Sequence, residues 1–165
     1  MSNTLYLECL SGISGDMTVA ALLDLGADRQ VLEKALDSLP VDGFSIEIKR
    51  VVKSGLDVCD FNVVLDKAHE NHDHDMAYLH QEKKHAHGHT AHEAHRHSHR
   101  GMKEVMEILE KTDMTRRAYE IAVKIFTILG EAEAKAHGTT LEEVHFHEVG
   151  AIDSIVDIVA AAVCL

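Results

Sequence analysis

Apolar and polar positions change period several times along the chain, and each change marks an element. Thr4 to Cys9 (TLYLEC) reads as a short buried strand, followed by the turn SGISGD and a strand-to-helix junction. Met17, Ala20, Ala21 and Leu25 then recur at helical spacing, with Gly26 placed to end that helix and Asp28 placed to cap the next. In the second helix Leu32, Ala35, Leu36 and Leu39 share one face. Phe44, Ile46 and Ile48 alternate with polar residues, and Cys59, Phe61, Val63 and Leu65 do so beyond KSGLD, which predicts two antiparallel strands. Ser98 is a candidate cap for a helix with Met102, Val105, Met106 and Leu109 on one side. Thr115 suits the start of a longer helix ending near Gly138, with Ala118, Ile121, Ala122, Ile125, Leu129, Ala132 and Ala136 inward. A last helix is apolar on nearly every side except at Asp153 and Asp157, and is therefore expected to be buried. These elements predict an α+β fold, a small three- or four-stranded sheet covered by about five helices.

Between the two halves the apolar period disappears. Eleven of the 14 histidines lie between His69 and His99, in a tract with no core-forming face, which predicts a disordered loop. The expected organisation is an αβ part over 1–67, the His-rich loop over 68–100, and a helical part of the same domain over 101–165. The final helix reaches Leu165 with no Gly, Asn or Pro to stop it, so a further C-terminal portion is expected to be missing from the sequence. Sixteen basic against 28 acidic residues give a formal charge of -12, which disfavours nucleic acid and favours cations. The longest uncharged apolar stretch, Ile158 to Leu165, is far short of the roughly 20 residues of a membrane span, and no signal peptide is evident. A cytoplasmic protein is expected. Cys9, Cys59 and Cys164 are widely separated, form no CxxC pair, and read as buried thiols.

Three constellations carry candidate chemistry. In an extended Val144–Val149, His145 and His147 point to one side and Phe146 to the core, because side chains alternate with period two. Asp153 and Asp157, four apart on the next helix, share a face, and Gly150 permits a turn that aims both pairs at one cleft. Imidazole with carboxylate suits a divalent transition metal, with Glu148 as ligand or proton acceptor. Asp153 also suits the cap of the last helix, whereas Asp157, one turn deeper, needs a cation or a donor opposite it. The second constellation is the turn Ser11, Gly12, Ser14, Gly15, Asp16, whose N–H groups and following helix start resemble a phosphate cradle, a plain turn being the equal alternative. It is not a P-loop, and Asp16 is alternatively a ligand for a phosphate-bound metal. The third is the tract itself, where His85, His87, His89, His95, His97 and His99 offer imidazoles suited to nickel, zinc or copper capture rather than to catalysis, a solvated linker or vestigial expansion being the alternative.

LYLECLSGISGDM at the start, the His-rich insertion, and EEVHFHEVGAIDSIVDI near the end resemble the N-terminal region of the nickel-insertion proteins of the nickel-pincer nucleotide cofactor, the LarC family. The resemblance covers nearly all 165 residues outside the tract. It implies an enzyme that places nickel into pyridinium-3,5-bisthiocarboxylic acid mononucleotide, a CTP-dependent cyclometallation with manganese or magnesium that matures lactate racemase and related enzymes. On that basis His145 and His147 hold nickel in transit with Asp157 as a further metal ligand. Glu148 or Asp153 takes the ring proton, and Ser11–Asp16 seats the phosphate. The resemblance also implies a C-terminal region that carries the CTP site, is absent here and is encoded separately in some members, so that this chain alone is expected to be inactive. A homo-oligomer is compatible with it. Two other readings stay open: a non-enzymatic nickel storage protein or metallochaperone, and a metal-dependent phosphohydrolase.

Overall fold

The computed structural model describes residues 4–67, 100–146 and 150–165. It contains α1 (Gly15–Asp24), α2 (Arg29–Asp37), β1 (Phe44–Lys53), β2 (Leu56–Leu65), α3 (Met102–Lys111), α4 (Arg116–His137) and α5 (Ile152–Cys164). The α+β class and five helices agree with the pattern of the chain. The sheet does not, for among the described residues it has two strands, β1 and β2.

The hairpin forms because each strand alternates apolar with polar positions and the connection suits a two-residue turn. Ser54 and Gly55 both have positive φ (54° and 81°), the combination whose twist matches paired strands. The register sets Ile48 opposite Phe61 and Ile46 opposite Val63, so one face is apolar and Phe61 is only 2% exposed. That face meets α1 and α5, which both pack on β2.

Local signals explain the helix ends. Asp28 accepts from the N–H groups of Gln30 (2.8 Å) and Val31 (3.3 Å), and the Thr115 hydroxyl accepts from Ala118 N–H (3.1 Å). After α1, Gly26 N–H donates to Leu23 C=O and Ala27 N–H to Leu22 C=O, the paired bonds of a Schellman ending. The start of α3 differs from expectation: Gly101, not Ser98, is its cap. Glu104 reaches back to accept from Gly101 N–H at 2.5 Å, which fixes the start three residues later. The signal for it, an acidic residue three positions into the helix, was present in the sequence.

α5 is central. It packs against α1, α2, α4 and β2, which is why it is apolar almost all round, and Ile155, Val156, Val159 and Ala160 are fully buried. Buried residues from both sides of the tract share one core, from Val19 and Leu32 to Phe126 and Phe146. Two faces are rotated from expectation. In α1 the buried residues are Val19, Ala20 and Leu22, while Met17 is 57% exposed, because a helix apolar on most sides leaves its phase to its neighbours. In α4 the inward stripe is Ala118, Ala122, Phe126, Gly130 and Ala134, strictly four apart, and Ala132 and Ala136 are exposed. The missing methyl of Gly130 makes room there: a Cβ would lie 2.6 Å from Leu141 Cδ1 and 3.4 Å from Phe146 Cζ.

Thr4 to Cys9 is not a strand. It lies exposed with no partner strand among the described residues, and Cys9 is exposed with it. Cys59 and Cys164 are partly buried, and burial pushes the Cys164 thiol up to about 11. No helix among the described residues is long and apolar enough to cross a membrane.

Candidate functional site

The two terminal motifs, at opposite ends of the sequence, meet where the first turn of α1 lies across the face of α5. Gly15 makes this possible. A Cβ at that position would stand 2.7 Å from Asp157 Cβ and 2.8 Å from its Cγ, and closer still to Oδ2, so only glycine lets the backbone pass the carboxylate. Gly12, at a φ of 81°, sharpens the preceding turn, and its N–H donates to Cys9 C=O at 3.0 Å. The Ser14 hydroxyl donates to the Asp16 carboxylate, which sets Asp16 at the mouth of the helix. Ser11 and Ser14 are exposed.

Asp157 is the electrostatic centre of this contact. Its carboxyl is raised to about 6, chiefly by burial, then by the negative charges of Asp16 and Asp153, with the Asp16 main-chain N–H only partly offsetting them. Its Oδ1 is buried and has no hydrogen-bond partner among the described residues. A buried lone pair without a donor is costly, and the need for a cation or donor opposite Asp157 follows from its position in an apolar helix. Asp153 is not the cap of α5, a place taken by Ala151; it sits in the first turn and accepts from Ser154 N–H at 2.8 Å.

The ionisation of Asp157 gives stability a definite pH dependence. Its carboxyl titrates near 6 in the folded protein against 3.8 as the reference value. The unfolded chain therefore loses its proton first. The contribution of Asp157 to stability is most favourable below about pH 4, falls as pH rises toward 6, and levels off above that. Asp157→Asn, neutral throughout, is expected to remove this slope and to raise metal-free stability at pH 7 by about 1 to 2 kcal/mol, an amount discounted for partial solvent screening. Urea unfolding at pH 4 and pH 7 checks it: an unchanged difference between wild type and variant would contradict the assignment.

Val144 and Phe146 are buried and His145 between them is exposed, the alternation of an extended segment. Phe146 packs edge-on against Phe126, with ring centroids 6.1 Å apart at 61°, and so fastens the motif to α4. His145 forms an isolated bridge with Gly101. Arg100 ties Phe146 to Gly150: its C=O accepts from Phe146 N–H at 3.0 Å and its guanidinium donates to Gly150 C=O at 2.8 Å. Sequence reasoning assigned Arg100 to the edge of the His-rich loop, and nothing in the pattern marks this tie.

His147 and Glu148 lie outside the described residues, as do His85, His87, His89, His95, His97 and His99. Among the described residues no three His, Cys, Asp or Glu side chains converge closely enough to hold a metal ion. The negative charges of Asp16 and Asp153 act on Asp157, whose buried Oδ1 is left open to a donor. The three carboxylates do not constitute a complete manganese or magnesium site.

Comparison with known proteins gives the chemistry a context. The profile of a family described as nickel insertion protein matches residues 5–165. A pyridinium-3,5-bisthiocarboxylic acid mononucleotide nickel insertion protein of Alkaliphilus metalliredigens is 56% identical over 165 residues, all of this chain and 37% of the relative. Proteins of the same description from Akkermansia muciniphila and Geobacillus kaustophilus are 41% and 38% identical over 98% of this chain and 35% of their own length. The chain thus spans little more than a third of these relatives. No solved structure matches it.

Proposed function

Because this chain belongs to the nickel insertion protein family, we propose that it takes part in inserting nickel into pyridinium-3,5-bisthiocarboxylic acid mononucleotide, the substrate in its relatives' names. The observation that carries this reading is the meeting of SGISGDM with the Asp153–Asp157 face, which sets a turn suited to phosphate beside carboxylates suited to a proton. Insertion replaces a ring C–H proton by nickel, so the site has to present the metal, take one proton and seat one phosphate. His145 and His147 present nickel, an ion that imidazole binds well. Glu148 or Asp153 takes the proton, and Asp157 completes the carboxylate shell. Ser11, Gly12, Ser14, Gly15 and Asp16 seat the phosphate end of the mononucleotide. No step here is routed through CTP, manganese or magnesium.

The His145→Ala, His147→Ala double variant, made at the equivalent positions of a full-length relative, tests the assignment in reconstituted cofactor synthesis at saturating nickel. His145 is exposed, so its loss leaves the packing intact. Product formation is expected to fall at least about tenfold, equivalent to about 1.4 kcal/mol of barrier, with an unchanged thermal melt. Unchanged product formation would remove both histidines from the route of the metal. The His-rich tract favours a second reading, nickel storage or delivery without chemistry. That function has no use for a mononucleotide, so saturable binding of the substrate precursor by this chain separates the two.

A further inference from the structure

Six large apolar side chains near the start of the chain are exposed in near succession: Leu5, Tyr6, Leu7, Leu10, Ile13 and Met17, with Tyr6 at 80% and Leu10 at 89%. Scattered exposed leucines are ordinary, whereas a contiguous run of this kind marks a surface that another element covers. Its residues have strand character, TLYLEC, yet its main chain joins no ladder among the described residues. The run is not a stray tail, since the family profile begins at residue 5 and includes all six.

We infer that residues 4–10 form an added β-strand, docked on a free sheet edge in the portion of polypeptide that the relatives carry outside this third. Length supports that occupant over any other. The relatives devote 35–37% of their chain to the region matched here, so well over half of each has no counterpart among these 165 residues. Edge addition supplies the main-chain partners that an extended segment lacks, and apolar side chains on both of its faces suit a strand covered on two sides. Position supports it as well. The segment runs directly into Gly12 and Gly15, so an element docked on it stands beside the turn that faces Asp157. In this arrangement that portion of the relatives forms one wall of the site, whatever reaction the site performs.

Amide hydrogen exchange read by mass spectrometry tests the inference on two intact proteins, this chain and the full-length Alkaliphilus metalliredigens relative. Peptides over residues 4–10 are expected to exchange at nearly the unprotected rate in this chain. The equivalent peptides of the full-length relative are expected to exchange at least about a hundredfold more slowly, as in a paired strand. Equally fast exchange in the full-length relative overturns the proposal. So does protection in this chain alone that grows with protein concentration, because the cover is then a second copy. Neither outcome depends on nickel binding.

Discussion

Truncating Phe146 to alanine is expected to cost about 3 to 5 kcal/mol of stability. The side chain is fully buried, and its ring meets Phe126 edge to face in the space that Gly130 leaves. Removing it takes away the transfer energy of a whole aromatic ring and opens a cavity that rigid helix backbone on α4 cannot close. The segment also loses one of its two inward side chains, leaving Val144, the His145–Gly101 bridge and the main-chain bond from Phe146 to Arg100 to hold it. Chemical denaturation gives the stability change directly. A loss below about 1 kcal/mol would mean that the ring is not packed as described. Phe146→Leu, which keeps most of the volume, is expected to cost markedly less, and this contrast distinguishes packing from a general intolerance of change.

The second large effect belongs to Gly15. Its φ is not positive, so alanine is conformationally acceptable and in a free helix would be favourable. The sign reverses here because the new methyl would fall inside the van der Waals radius of Asp157 Cβ and Cγ, atoms fixed to a buried helix rather than to a flexible tip. Gly15→Ala is expected to destabilise the protein by about 1 to 3 kcal/mol, the range for overpacking. Combining it with Asp157→Gly, which removes the obstructing carboxylate and its Cβ, is expected to recover part of that loss, a non-additivity that thermal melts of the two single variants and the double variant measure. Simple addition of the two penalties would show that α1 does not press on Asp157.

What could be read from the sequence, and what could not, follows from where each feature gets its information. The hairpin, the caps at Asp28 and Thr115 and the buried α5 are encoded locally, in alternation, in a single oxygen at a helix start, or in an apolar run, and all are found. The orientation of α1 and the inward stripe of α4 are set by what packs on them. Phe126 and Gly130 take their place in that stripe because Phe146 arrives from elsewhere in the chain. Thr4–Cys9 has strand composition, but a strand exists only with a partner, which composition does not reveal. At the site, the need for a counterpart to Asp157 could be read from one acid in an apolar helix; that Gly15 and Asp16 face it could not, since no spacing rule links residues so far apart. His147 and Glu148 lie outside the described residues and stay with the proposal.

α1 is held at both ends by carboxylates. At its start Gly15 lies against Asp157; at its end Asp24 accepts from Cys59 N–H at 2.8 Å and pairs with Arg50, which also reaches Asp57. The Cys59 N–H bond and then Arg50 hold the Asp24 carboxyl below the usual range. A ten-residue helix so fastened has no way to fray by itself: releasing one end drags on the hairpin, releasing the other on α5. The hairpin, α1 and α5 are therefore expected to open together as one cooperative unit, even though the ties at the far end of α1 lie on the surface.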